Sequence, residues 1–359
     1  MYRVLYKAQA KSILLAPQVS ISKNVCHCQS ATPPYNTKPS FIHTIRPTTT
    51  NTMTTITLKS QATSISLPED FSVNVSLPEG FSEKQLLSFQ PFKNWLETLT
   101  KSLTLQSQNP SHPFHSDPYA LRSITIQSYD LFGSSKIGFL KLSAEVTNSF
   151  GESLPGAVFL RGPSVGMLVM LIPDDLPPSS GQGVEEERYV ILTIQPRVPA
   201  GSLAFAELPA GMIGGDGGSF AGTAAREIKE ELGIEIPASE LISLSELAAA
   251  PPVLSPSAMP SSGNSNGDGS GEVKYLPQAM YPSAGGCDEY IPIYMHERRV
   301  PRSTLKEWTG KLTGLRNEGE KITLKLVPMR DLWREGRRDA KALAALALWE
   351  GLKREGRLL

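Results

Sequence analysis

The stretch Arg226-Glu227-Ile228-Lys229-Glu230-Glu231-Leu232-Gly233-Ile234 constrains this chain more than any other. Its spacing predicts a helix: at about 100° per residue, Ala221, Ala224, Ala225, Ile228 and Leu232 fall on one apolar face. Glu227, Glu230 and Glu231 line one flank of that face, and Lys229 lies on the other. Gly233 stands where helices commonly end in the left-handed conformation, which puts the carboxylates in the last turns. Three anionic groups this close repel one another unless something positive sits among them. A hard divalent cation suits such a set, since Mg²⁺ prefers carboxylate oxygens and shares its shell with substrate phosphates. The competing reading is a solvated charged face on a surface helix, which RExxEE without context supports more often.

Context changes that balance. Upstream, Glu207-Leu208-Pro209-Ala210-Gly211-Met212-Ile213 reads as a strand running into a glycine loop. From Gly211 to Ile234 the chain resembles the signature box of the Nudix hydrolases, G-x5-E-x7-R-E-U-x-E-E-x-G-U with U apolar, and the second half matches at every specified position. The first half departs from it. Fifteen positions separate Gly211 from Arg226, where the family pattern has fourteen, and the family's first glutamate falls where this chain has Gly217, Gly218 and then Ser219. That carboxylate supports the metal site in the family, so its absence bears on how many metals bind.

Further matches resemble the ADP-ribose and ADP-sugar pyrophosphatase branch, its plant and fungal ADP-sugar diphosphatases above all. They are the Glu-Leu-Pro-Ala-Gly entry at Glu207, Gln195-Pro196-Arg197 after an apolar strand, and Tyr281-Pro282-Ser283-Ala284-Gly285-Gly286-Cys287-Asp288-Glu289. The acidic loop Gly314-Leu315-Arg316-Asn317-Glu318-Gly319-Glu320-Lys321-Ile322 resembles the one that carries the branch's catalytic base. The resemblance implies that Glu227 and Glu231 bind Mg²⁺ (or Mn²⁺) together with the Ala210 carbonyl. It implies that Glu230 completes the cluster and Arg226 orients a carboxylate. Glu320 is then the general base, with Glu318 and Glu289 as competitors, while Arg197, Glu207 and Glu289 meet the substrate. The expected reaction is hydrolysis of the pyrophosphate bond of ADP-ribose or an ADP-sugar to AMP and a sugar phosphate. Two rival readings are another nucleoside diphosphate substrate, such as UDP-glucose or NADH, and a non-catalytic module that senses nucleotide-sugars. The intact glutamate trio speaks against a pure sensor.

The chain holds 359 residues with a formal net charge of +0, which offers no electrostatic case for nucleic acid or an anionic membrane. No apolar run approaches the length that spans a bilayer. The first acidic residue is Glu69, and Arg3, Lys7, Lys11, Lys23, Lys38, Arg46 and Lys59 precede it among many serines and threonines. That composition predicts an organelle transit peptide over 1–68, mitochondrial before plastid, with Met53 as an alternative start giving a cytosolic form. Residues 251–272, dense in Pro, Ser, Gly and Asn, read as a flexible insertion.

The predicted fold is α/β: a Nudix α/β/α sandwich over 156–359 behind a small β-rich domain over 69–155. Strands are expected at 123–129 and 137–143 around a turn at Phe132-Gly133-Ser134, then at 158–160, 167–172, 190–195, 291–295 and 322–327. Helices are expected at 92–99 and 340–353. The resemblance implies that the first domain makes a homodimer and that the partner molecule is a nucleotide-sugar.

Overall fold

The computed structural model describes residues 53–60, 67–133, 136–176, 187–213, 219–250, 276–315 and 320–358. They build two sheets. In the first, β1 (Thr54–Lys59), β2 (Ser72–Leu77), β3 (Ala120–Phe132), β4 (Lys136–Thr147) and β5 (Ser153–Leu154) follow one another, and β6 (Ala157–Leu160) also pairs with β4. Only β2 and β3 run parallel, and the connection between them carries α1 (Glu83–Ser88) and α2 (Gln90–Gln108). Ser82 starts α1 with a reciprocal cap: its hydroxyl meets the Gln85 amide while the Gln85 side chain meets the Ser82 amide. Pro91 in the first turn of α2 pre-sets the helical torsion where no donor is lost. Phe92, Leu96 and Thr100 then bury one stripe of α2, and the two apolar members join Val75, Ile124, Ile126, Leu140 and Leu142 in one core.

The second sheet runs β11 (Ile242–Ser243), β12 (Ile293–Val300), β7 (Ser164–Pro173), β8 (Tyr189–Arg197), β14 (Ile322–Pro328) and β13 (Leu312–Thr313). Two short strands sit off that path, β9 (Ser202–Glu207) on β8 and β10 (Ala210–Met212) on β7. Between them lies Leu208-Pro209, where proline has no N–H for a ladder, so the chain leaves one strand and joins the other. All ten residues of β7 are buried, because helices cover both faces. Val165, Met167, Val169 and Leu171 face α3 (Phe220–Glu227) through Ala224, with Ile228 and Leu232 just beyond it. Leu168 and Met170 face α7 (Ala340–Arg354) through Ala342, Ala345 and Leu352. The layers are therefore helix, sheet, helix, with α4 (Leu244–Ala249), α5 (Arg302–Trp308) and α6 (Leu332–Glu335) completing them. Among the described residues no helix is long and apolar enough to cross a membrane.

The boundaries differ from the sequence reading in three places. Strand β1 lies inside the segment assigned to a leader at 1–68, and its β-branched run Thr54-Thr55-Ile56-Thr57 pairs with β2 from Thr54↔Leu77 to Lys59↔Ser72. The first sheet also continues to Leu160, past the expected limit at 155, since β6 pairs with β4. Helix α2 is more than twice the expected length, because the polar residues after Leu99 still present Leu103 to the core. Residues 1–52 of the expected transit segment, the insertion at 251–272, Gly217, Gly218 and Glu318 lie outside the described residues.

Candidate active site

Helix α3 begins at Ser219, whose hydroxyl accepts the Gly222 amide at 3.0 Å. It runs as an α-helix to Glu227 and then widens into a π turn over Ile228–Leu232, ended by Gly233 at φ 72°. Such turns are rare and gather at functional sites, since they re-aim the side chains that follow. Ala224, Ile228 and Leu232 are fully buried. The carboxylates follow a gradient: the Glu230 side chain is 30% exposed and that of Glu227 14%, while Glu231 retains 5%. A solvated charged face is excluded by that burial.

Glu231 accepts the Ala210 amide at 3.2 Å and the Gln195 side-chain amide at 3.5 Å. Burial above all, and then the neighbouring Glu227, push its pKa up to about 8, with the Ala210 amide pulling the other way. Glu227 is raised as well, by burial first; Arg226 opposes the shift, and Glu230 and Glu320 add to it. Glu227 lies directly against β10: a Cβ on Gly211 would stand 1.9 Å from its Cδ, so any larger residue there displaces the Glu227 carboxylate. Arg226 bridges two of the acids, 3.0 Å from Glu227 and 3.3 Å from Glu230.

The donor set fits a hard divalent cation. Glu227 and Glu231 offer neighbouring carboxylate oxygens whose charged forms are disfavoured by burial and by nearby acids, which is the deficit a cation removes. Among the described residues, no group of three His, Cys, Asp or Glu side chains surrounds a single point.

Beside this pair lies a buried ionic network. Glu207 receives Arg197 Nε at 2.5 Å and Lys341 Nζ at 2.9 Å. Lys341 also meets Asp339 at 2.9 Å, and Asp339 accepts the Leu208 amide at 2.8 Å. Burial acts to lower the Lys341 pKa, but Asp339 and Glu207 outweigh it and the net shift is upward. The network fixes the turn that carries Ala210 toward Glu231.

The remaining candidates sit around that centre. Glu289 accepts the Ser164 hydroxyl at 2.8 Å and lies 3.4 Å from Arg161, so its described contacts are with the start of the second sheet rather than with the box carboxylates. Glu320 is exposed, accepts the Leu315 amide at 3.1 Å, and acts electrostatically on Glu227. Three groups in contact with the site were given no role by the sequence reading: Gln195, Asp339 and Lys341. Asp339 carried a usable signal, an Asp directly ahead of a helical run, which is a cap position.

No family model matches the chain. The chain is similar to a curated relative, Nudix hydrolase 14, chloroplastic, of Arabidopsis thaliana, with 34% identity over 299 residues that cover 82% of this chain and 82% of the relative. The chain therefore belongs to the Nudix hydrolase family and is a hydrolase. A solved structure described as "Crystal structure of ADP compounds hydrolase" aligns over 67% of this chain and 99% of its own, with 19% sequence identity and a TM-score of 0.37.

Proposed function

We propose that the protein hydrolyses the pyrophosphate bond of ADP-ribose or an ADP-sugar, with Mg²⁺ or Mn²⁺, to AMP and a sugar phosphate. The observation that carries this reading is the adjacency of Glu227 and Glu231 beside Ala210, one step from buried Glu207 and the partly exposed Arg197 it holds. Glu227, Glu231 and the Ala210 carbonyl would hold the metal, which supplies charge neutralisation on two adjacent phosphates when bound. Arg226 keeps Glu227 and Glu230 from collapsing onto other partners. Glu207 orients Arg197, whose guanidinium, 41% exposed, is available to a phosphate or terminal ribose. Glu320 takes the proton of the attacking water, its solvent-facing carboxylate being held by the Leu315 amide. The box lacks its first glutamate, and this favours a second reading in which the site binds nucleotide-sugars without turnover. A turnover screen of ADP-ribose, ADP-glucose, UDP-glucose and NADH with Mg²⁺ separates the readings. The expected result is preference for an ADP-linked sugar, and no turnover of any of the four selects the sensor.

Two further assignments accompany this reading. The first sheet presents Phe132 and Phe159, 46% and 38% exposed, on either side of Phe139 at ring distances of 5.2 and 5.4 Å, an apolar surface suited to a second copy of the chain. The leader is assigned to the plastid rather than the mitochondrion, because the relative bears a chloroplastic name. A fluorescent fusion to residues 1–52 is expected in plastids, and mitochondrial signal from it restores the other assignment.

A further inference from the structure

A second polar cleft lies away from the carboxylates. It has a volume of about 250 Å³ and is lined by Ser202, Ala204, Phe205 and Ala206 of β9, by Glu335 at the end of α6, and by Arg337 and Arg338 of the turn before α7. Its floor is on the opposite side of the sheet from Glu231. Ala206 pairs with Ile194, two residues on from Leu192, and Leu192 and Leu208 both belong to the core under α7. Glu231 and its helix pack on the other face, against Val165 and Met167. The alternate short side chains of β9 are what leave the space open. Larger residues at 204 and 206 would fill it.

Charge in the cleft is one-sided. Glu335, its single acid, is already paired with Lys325 at 2.5 Å. Arg334 and Arg337 hold the Glu335 carboxyl further below its ordinary range. Arg337 spends one N–H on the Arg334 carbonyl at 2.8 Å, which fixes its position, and its other donors remain for a ligand. Arg338 is exposed beside it. Two guanidinium groups lining one cleft supply the charge and the paired N–H donors by which a phosphate group is recognised.

We propose that this cleft is a second anion site, which takes the phosphate group of a small phosphate ester or inorganic phosphate. Its occupant touches the turn leading into α7, where Asp339 and Lys341 hold the Leu208 amide and Glu207. The site is defined by its own residues and does not depend on which nucleotide the protein hydrolyses.

The test is calorimetric titration of the full chain, with chelator present, using inorganic phosphate and ribose 5-phosphate in parallel. Binding is expected to be unchanged in Glu231→Gln and weakened about tenfold or more by each of Arg337→Gln and Arg338→Gln, the loss expected for a charge-assisted contact. Arg337→Lys combined with Arg338→Lys should recover part of it, since charge returns without the fork. Tighter binding of ribose 5-phosphate marks a sugar phosphate as the occupant, and equal binding marks the phosphate group alone. Binding that survives both arginine changes, or that is lost in Glu231→Gln, overturns the proposal and assigns the anion to the carboxylate side. Absence of binding by either probe at about 10 mM, where even a Kd near 1 mM would register, also overturns it. Turnover of ADP-sugars is measured separately, so the two readings fail independently.

Discussion

The central strands of the two sheets solve different problems. Strand β4 alternates, with Leu140, Leu142, Ala144 and Val146 buried and Lys141 and Glu145 exposed, as expected of a sheet with one covered face. Strand β7 is buried at every position because helices lie on both sides. The one-sided sheet holds an apolar core beside uncharged buried groups such as Thr100, Gln106 and Asn148. The two-sided sheet receives Glu231 from one helical layer and Lys341 from the other, and both converge near Glu207 at the strand ends. Low-dielectric surroundings raise the stakes of each charge there. That is where the two sheets part in function as well as in packing.

The sharpest way to break this contrast is Glu231→Gln. Turnover should fall roughly 10²- to 10³-fold, the scale of a lost charge-stabilising group. The fold should survive, since glutamine keeps the shape of the glutamate side chain. Thermal melting supplies a second readout: Mg²⁺ at about 100 times its Kd stabilises the parent by about 2.7 kcal/mol and the variant far less. Undiminished turnover at saturating Mg²⁺ removes Glu231 from the mechanism.

Matched glycine changes then compare the sheets directly. In the second, Gly211→Ala drives a methyl into the Glu227 carboxylate, and a displacement of about 1 Å lowers turnover about 10²-fold with little change in melting. In the first, Gly156→Ala meets the Ala144 carbonyl oxygen, a backbone atom that cannot step aside. Overpacking of that kind costs about 1–3 kcal/mol of stability and should leave turnover per folded molecule unchanged. Equal effects of the two on melting and on turnover would erase the distinction drawn here. The smallest effect is Ser219→Ala, which removes the α3 cap and costs about 1 kcal/mol by chemical denaturation. Because Ser219 is that cap, a glutamate placed there to restore the family's missing acid gives up the cap as well.

The fold was legible wherever periodicity and turn chemistry agreed. The hairpin at Phe132-Gly133 follows from alternation and a turn glycine, and the buried run of β7 from continuous apolar residues. Strand β1 was hidden by composition, since an acid-free stretch drew the leader boundary past a β-branched run that pairs in the sheet. In the site, the carboxylate trio was legible because its members are close in sequence. The π turn was not, for the residues of Ile228–Leu232 satisfy an α-helical pattern equally well. For Asp339 the cap position was legible but its bond to Leu208, 131 residues away, was not, and Lys341 was hidden because its partner Glu207 lies 134 residues away. Local pattern carries no record of such pairings.

That long separation also sets a timetable. A ribosome releases the strand bearing Glu207 well before α7 exists, and chains fold as they emerge. Until α7 is made, Glu207 lacks its ammonium and the Leu208 amide lacks its acceptor. Arg197 is already at hand in the neighbouring strand, so the nascent chain can hold Glu207 from one side only. Helix α7 thus closes the network around Glu207, and without it the site lacks both contacts.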